Sequence, residues 1–500
     1  MEILTILFCI LISTFSIICT RWWFSWRLPA GKPPPGPPGL PVIGNLLQLG
    51  NQPHRTMSKY SQKYGPLISL KIGSVTIIVV SSPEMTKQLL RKNEKFLLSR
   101  AVPAAVSAQP NPEATIGWAT ADQWWNSRRR VTNANLFTSH KLDSIEELMH
   151  KKVGELISYM NRRCVSDSAP VDIGQSVFAT NLNLISTIIF SVDLIDLDSG
   201  SAQEFKNLVD TIMEEAGKPN VSDFFPVLQQ FDLQGMRKRI KPCYTRLHQI
   251  FDDIIDKRLQ SRAMGSNAGD FLDVLIDEFS NDEPIFDRVN IKPLILDLFI
   301  AGSDTSAGTI EWAMTELLRN PKLLHKLQNE LNEKFDRKGP TKGISDLNQL
   351  SYLQAVIKET LRLHPAAPLL LPYKANDNIL IRDFTISKGS HVMVNQWSIN
   401  RDPIYWENPL TFEPDRFLGS NTVDYKGHDF EFLTFGTGRR ICPGMPLAMR
   451  MIPLVVASLV RNFDWRLPEG TTSENINMEE QFGVTLKKAI PLLLVPTIKE

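Results

Sequence analysis

The chain has 500 residues, of which 43% are hydrophobic and 22% charged, and its formal net charge at pH 7 is +1. This balance provides enough apolar material for a large core and excludes a protein that binds nucleic acid through an overall positive field. The five cysteines, Cys9, Cys19, Cys164, Cys243 and Cys442, are odd in number and lack C-x-x-C spacing, which excludes a disulfide framework and points to a reduced compartment.

Ile3 to Thr20 carries no charge over eighteen positions, about the length that crosses the hydrocarbon of a bilayer. Arg21, Trp22, Trp23, Phe24, Trp26 and Arg27 follow, an aromatic belt whose basic residues place that end in the cytosol. Glu2 precedes the run and no small-x-small site closes it, so residues 1–21 are expected to be an uncleaved anchor with Cys9 and Cys19 in lipid rather than a removable signal peptide. Residues 22–45 contain Lys32-Pro33-Pro34-Pro35-Gly36-Pro37-Pro38-Gly39-Leu40-Pro41, which cannot be helical. Such a run is either a rigid strut or a ligand for an SH3-type partner, and its place behind an anchor favours the strut. Residues 46–500 are long enough for several domains or for one unusually large one.

Leu67 to Ile72 and Val75 to Ser81, joined by Gly73-Ser74, read as a hairpin. Ser82-Pro83-Glu84 then caps a helix to about Lys92. Phe96 to Ala119 is irregular and unusually long for a surface loop. In the helix that opens at Trp125, Trp125 and Arg129 share a face, so the indole N–H and the guanidinium could grip one carboxylate together. Arg128 and Arg130 read as a solvated face, open to an acidic partner. Most of Lys141 to Phe335 is helical by periodicity, and Asn220-Val221-Ser222 is a sequon by letter only, since the orientation puts it in the cytosol.

Pro293 to Asn320 reads as one long helix with Ala301-Gly302-Ser303-Asp304-Thr305-Ser306 at its centre. A glycine followed by hydroxyls that bond back to the previous turn predicts a kink or a widened groove, with room for O₂. There Thr305 could donate a hydrogen bond and Asp304 could relay protons; the plain alternative is a polar turn in an ordinary helix. Glu359 and Arg362 place opposite charges three apart on one face. In Phe435-Gly436-Thr437-Gly438-Arg439-Arg440-Ile441-Cys442-Pro443-Gly444, the glycines allow close approach of a large planar ligand. Cys442 could then bind iron axially as thiolate, favouring O–O cleavage, or be an inert buried cysteine. Arg440 could pair with a carboxylate of that ligand, and the apolar helix expected over Met445 to Val460 would point its N-terminus at the sulfur.

This last segment follows F-x-x-G-x-R-x-C-x-G and resembles the haem-binding loop of the cytochromes P450. Residues 301–306 match that family's [AG]-G-x-[DE]-T-[ST] throughout, Trp125 and Arg129 match its W-x-x-x-R, and the proline run looks like the hinge of its membrane-bound members. The likeness extends to Leu494-Val495-Pro496 and implies a mainly α fold with small β-sheets (α+β), the cytochrome P450 fold behind an N-terminal transmembrane helix. It implies heme b with iron on Cys442, Phe435 beside the sulfur, and propionates bound by Arg100, Trp125, Arg129, Tyr373 and Arg440. Tyr373 stands where relatives usually carry Arg or His, so charge balance would rest on the three arginines. Asp304 and Thr305 would be catalytic. Phe412-Glu413-Pro414-Asp415-Arg416-Phe417 resembles the segment that brings a second arginine to the ion pair, making Glu359, Arg362 and Arg416 a structural triad that locks the cysteine loop. Apolar pocket walls would come from Ile116, Ala301, Ala366, Ala367, Leu369 and Val484.

Within the family the chain is similar to plant microsomal enzymes of the geraniol 8-hydroxylase and ferruginol synthase group, through Glu215-Ala216-Gly217-Lys218-Pro219-Asn220, Phe231-Asp232-Leu233-Gln234-Gly235, Ile310-Glu311-Trp312-Ala313-Met314 and Met478-Glu479-Glu480-Gln481-Phe482-Gly483. Alkaloid-oxidising members share several of these. The likeness implies a monooxygenase of the endoplasmic reticulum membrane with a cytosolic catalytic domain. It would hydroxylate a lipophilic specialised metabolite, a monoterpenoid or diterpenoid with an alkaloid as the rival, using O₂ and electrons from NADPH through NADPH-cytochrome P450 reductase. Membrane lipid is an expected partner and nucleic acid is not. A P450-fold isomerase or dehydratase, or a non-catalytic haem-binding scaffold, would not need the Asp304-Thr305 pair.

Overall fold

Asp122 and Asp287 start the two helices that frame the site. The Asp122 side chain accepts from Trp125 N at 2.7 Å, and Asp287 accepts from Val289 N and Asn290 N at 2.8 and 2.7 Å. The computed structural model describes residues 13, 16, 31–166, 170–278, 286–335, 343–419 and 423–499. The expected anchor and its tryptophan flank, with Cys9 and Cys19, lie outside these apart from Ser13 and Ser16.

In chain order the elements used below are β1 (Leu67–Ile72), β2 (Val75–Val80), β3 (Ser99–Arg100), α1 (Gln123–Leu136), α2 (Glu146–Ser166), α3 (Ile173–Phe190), α4 (Ser201–Gly217), α5 (Met236–Ala263), α6 (Arg288–Arg319), α7 (Ser351–Leu363), β4 (Tyr373–Lys374), β5 (His391–Val394) and α8 (Met445–Asn462). The largest sheet has the order β1-β2-β5-β4-β3. Its register sets Arg100 opposite Tyr373, and Tyr373 opposite Val392. Helices dominate the rest, packed around one apolar core that contains α3, α6, α7 and α8.

Among the described residues one helix, α3, is long and apolar enough to cross a membrane, yet 83% of it is buried in the protein. Hydrophobic on all sides, it is a core helix. Gly302 is the reason α6 can lie against it: a Cβ there would come 2.5 Å from Ile185 Cδ1. The glycine thus permits close packing of the two helices. Helix α6 is α-helical throughout, with Ser303 and Thr305 hydroxyls donating to Phe299 O and Ala301 O, both at 2.6 Å. It also begins five residues before the expected start, because the Asp287 cap outweighs the proline at 293. The helix expected to reach Lys92 is α-helical only from Pro83 to Lys87 and continues as a wider π turn from Gln88 to Lys92.

The proline run is fastened to the domain. Ser69 N donates to Pro35 O at 2.8 Å, Thr385 N donates to Lys32 O at 2.8 Å, and Asn45 Nδ2 donates to Pro37 O and Pro38 O at 3.2 and 3.3 Å. Prolines offer no N–H, but their carbonyls remain free to accept, and the strut uses them.

Candidate active site

A cavity of about 300 Å³ lies between α6, the loop before α1, the chain from Ala366 to Tyr373, and the cysteine loop. The cysteine loop is shaped by Gly436 (φ +73°) and Gly438 (φ +65°), left-handed conformations that suit glycine. Cys442 N donates to Phe435 O at 2.9 Å, closing the loop. Glu94 holds its outer edge by accepting from Arg439 N at 2.7 Å. Burial pushes the Cys442 thiol up, while the backbone N–H groups of Gly444 and Met445 at the start of α8, and the charge of Arg129, draw it down. When the sulfur is ionised, those dipoles and that guanidinium are the groups that stabilise it.

Arg100, Arg129 and Arg440 all line the cavity. Burial lowers the pKa of each; the charge of Arg100 adds to it at Arg129, and the charges of Arg100 and Arg129 add to it at Arg440, whose value falls to about 9. Among the described residues none of the three has an ion-pair partner. Arg100 Nη1 donates to Leu371 O at 2.6 Å, Arg440 Nη2 to Ala119 O at 2.6 Å, and Arg129 to Ile441 O. Arg100 Nε and Arg440 Nε are buried without any acceptor. Tyr373 lies under Arg100, ring to guanidinium 4.2 Å. Three cations without ion-pair partners, one buried and two partly buried, two of them with an orphaned Nε, facing a cavity that ends at a cysteine sulfur, fit a planar ligand that brings two carboxylates and a metal, as haem does.

The indole of Trp125 departs from the expected arrangement. It donates to Ile116 O at 2.9 Å and forms a floor 4.5 Å from the Arg440 guanidinium, so it orients an arginine rather than offering its N–H to a carboxylate. Neighbouring carbonyls of the irregular loop compete for the N–H, which helical spacing alone does not reveal.

Thr305 faces the cavity, but Asp304 points away from it. The Asp304 carboxyl is buried, accepts from Thr485 Oγ1 at 2.6 Å, and has its pKa raised by burial against the opposing effects of Thr485 and Lys487. Beyond it lie Lys206, Asp210 and Lys487, with Asp210 bridging the two lysines at 2.8 and 2.7 Å. The pair thus spans α6 from the cavity to a charged cluster, an arrangement suited to moving protons.

Glu359 is fully buried between its arginines. Arg362 Nε and Nη2 meet Glu359 Oε2 and Oε1 at 2.7 and 2.8 Å, and Arg416 Nε reaches Oε1 at 3.1 Å. The same Arg362 donates to Asn400 O, Pro409 O and Thr411 O.

Phe435, Ile116, Ala301, Ala366, Ala367 and Val484 line the cavity, whereas Leu369 does not. Leu370 is left-handed (φ +49°), and this turn sends Leu370 and Leu371 inward while Leu369 lines a second cavity of about 560 Å³. The walls are also less apolar than expected. Asp297, one turn before Ala301 on α6, lines the cavity, and its Oδ2 accepts from Ile116 N and Gly117 N at 2.9 and 2.8 Å. Its signal in the sequence is the four-residue spacing Asp297, Ala301, Thr305, which places an acid on the cavity face of an apolar stretch.

A model of the family described as Cytochrome P450 matches residues 34–493. Geraniol 8-hydroxylase of Catharanthus roseus is 45% identical over 464 residues, covering 93% of this chain and 94% of the relative. Geraniol 8-hydroxylase of Swertia mussotii is 43% identical over 464 residues, 93% of each chain. Cytochrome P450 76C2 of Arabidopsis thaliana is 42% identical over 500 residues, 99% of this chain and 97% of the relative.

Proposed function

The chain belongs to the cytochrome P450 family of haem-thiolate monooxygenases, and from that premise we propose that it hydroxylates a lipophilic terpenoid, with electrons from NADPH delivered through NADPH-cytochrome P450 reductase. The observation that carries the site assignment is the Cys442 sulfur at the end of a cavity walled by three unpaired guanidiniums. Cys442 is the iron ligand in this reading, and Arg100, Arg129, Arg440 and Tyr373 hold the propionates, with Trp125 as the support under Arg440. Bound haem supplies the activation of O₂. Thr305 presents its hydroxyl to the cavity and Asp304 passes protons to it from the Lys206, Asp210 and Lys487 cluster, while Glu359, Arg362 and Arg416 hold the cysteine loop in place.

The two geraniol 8-hydroxylases named above support a terpenoid, and the apolar share of the cavity supports lipophilicity. Residues 1–21 are the membrane anchor in this reading, 22–45 the strut and 46–500 the catalytic domain, held on the cytosolic face of the endoplasmic reticulum. Val227, Phe231 and Leu233, exposed by 86%, 68% and 62%, support a second contact with lipid. The reductase docks on the cysteine side, where Arg130 and Arg439 are exposed. The test is reduction of purified protein under carbon monoxide, then NADPH consumption with reductase and a panel of monoterpene alcohols, diterpenes and alkaloids. Thiolate-type absorbance with reductase-dependent oxidation of a terpenoid is expected. Absorbance with no oxidation of any compound would favour an O₂-independent isomerase or dehydratase, and oxidation confined to alkaloids would move the substrate class. Cys442→Ser is expected to abolish the absorbance.

A further inference from the structure

We propose that Asp297 anchors the head group of the substrate, so that the enzyme takes lipophilic alcohols by their hydroxyl and oxidises them at the opposite end; this rests on the monooxygenase reading above. Oδ2 of Asp297 is fixed by the N–H groups of Ile116 and Gly117. Oδ1 has no hydrogen-bond partner among the described residues, and the area Asp297 keeps uncovered opens into the cavity rather than to bulk solvent. A Cβ at position 117 would come 3.3 Å from that oxygen, so Gly117 keeps its approach clear. Among the described residues no lysine or arginine pairs with the carboxyl, and its burial raises its pKa. An acceptor that faces a ligand cavity with no protein partner is free to take a donor from the ligand.

Two further polar groups line the same cavity without partners. Gln109 Oε1 is buried and unbonded, and the Tyr244 hydroxyl makes no hydrogen bond to the described residues, its phenol raised by burial and by the charge of Asp297. Asp297 supplies an acceptor and Tyr244 a donor, the complement of an alcohol, which both donates and accepts; an ammonium only donates. The rest of the wall, including Val106, Ile212, Met213, Leu296 and Ile300, is apolar. Eight residues of helix separate Asp297 from Thr305, about 12 Å of rise. Allowing about 3 Å for the hydrogen bond leaves roughly 9 Å from hydroxyl to the carbon that reaches the Thr305 end, the span of an extended acyclic terpene alcohol.

The experiment uses the holoenzyme and measures equilibrium binding by dialysis with an acyclic monoterpene alcohol, its methyl ether and the corresponding primary amine. An ether has no hydrogen to donate and leaves the open oxygen of Asp297 unmet, a cost that predicts that the wild type prefers alcohol to ether by about 10- to 100-fold. Asp297→Asn keeps an acceptor for Ile116 and Gly117 but turns a donor toward the cavity. It should bring alcohol and ether within about twofold of each other, leave ether affinity unchanged, and scatter the oxidation over several carbons. Equal binding of alcohol and ether by the wild type overturns the proposal and needs no variant; so does an alcohol preference that survives Asp297→Asn, or an amine bound tenfold more tightly than the alcohol. Binding is read without turnover, so these outcomes stand apart from a failure of NADPH-dependent oxidation, which would strike the monooxygenase reading instead.

Discussion

Replacing Arg362 by lysine keeps the charge and tests whether the fork geometry of the guanidinium is what holds the chain from Asn400 to Thr411, before the cysteine loop. Arg362 makes five hydrogen bonds of 2.6 to 3.2 Å: two to Glu359 and one each to the carbonyls of Asn400, Pro409 and Thr411. A lysine ammonium has three donors on one atom and can serve Glu359 and one carbonyl at most. Thr411 is exposed and can turn to water, but Asn400 is buried. One buried carbonyl left unmet costs about 1–3 kcal/mol, and exchanging a bidentate buried ion pair for a single contact costs about 2 kcal/mol more. The sum of about 3–5 kcal/mol is a third or more of the stability of an ordinary domain. With an unfolding entropy of about 2 cal/mol/K per residue, it lowers the midpoint of thermal loss of the reduced carbon monoxide absorbance by about 3–5 °C. Arg319→Lys is the control, because Arg319 reaches Glu316 at only 3.4 Å with a side chain 36% exposed, and it should change the midpoint by less than 1 °C. An Arg362→Lys midpoint as close to wild type as this control would show that charge alone holds the chain from Asn400 to Thr411 and would refute the reasoning.

Gly302→Val drives side-chain carbon into Ile185 and should cost about 1–3 kcal/mol by denaturant titration, with Ile185→Ala restoring part of it. Leu369→Ala should lower stability while changing the KM of any substrate less than twofold, because Leu369 packs in the cluster of Met57, Leu70 and Ile77 outside the active-site cavity. Asp223 accepts from Ala104 N at 2.6 Å, and burial lifts its pKa to about 6 from an ordinary 3.8. A raised carboxyl costs stability as pH rises from the unfolded value through the folded one, and the penalty is complete above about 6. Asp223→Asn, which can still accept from Ala104, should therefore stabilise by about 1–2 kcal/mol at pH 7.5, with the gain shrinking as pH falls below 6. In the opposite sense, Glu480 has its pKa held at about 2, where the bonds from His54 and Arg55 and the charge of Arg401 outweigh its burial. Its contribution is present above the unfolded value near 4.5 and is lost as pH falls toward 2, so Glu480→Gln should flatten the acid limb of a pH–stability curve.

What could be read in the sequence was local chemistry at fixed spacing. The Gly436 to Gly444 segment announces its loop because glycine alone tolerates its left-handed turns, and Glu359 with Arg362 shows as a charge pair because three residues of helix put them side by side. The hairpin of β1 and β2 was legible from alternation and its Gly73-Ser74 turn to within one residue of its end. The misreadings arise where the partner is distant in sequence. The contact of Gly302 with Ile185, more than a hundred residues earlier, has no local signal; the Trp125 N–H goes to a carbonyl of the irregular loop; and the direction of Leu369 depends on one left-handed residue, Leu370, that is not a glycine.

Asp297 was passed over for the same reason, and its place shows how α6 is used. On a helix, positions four apart form a row, and Asp297, Ala301 and Thr305 make the row that faces the cavity. Asp304 is one residue out of step, a rotation of about 100°, and so meets Thr485 on another face. A single-residue offset therefore separates two acids by surroundings: one lines the cavity, the other accepts from Thr485 and lies within the field of Lys487 and Lys206. In the roles proposed for them, exchanging these environments would defeat both, since a proton relay needs a route to bulk water and an anchor for a lipophilic head group needs to be shielded from it.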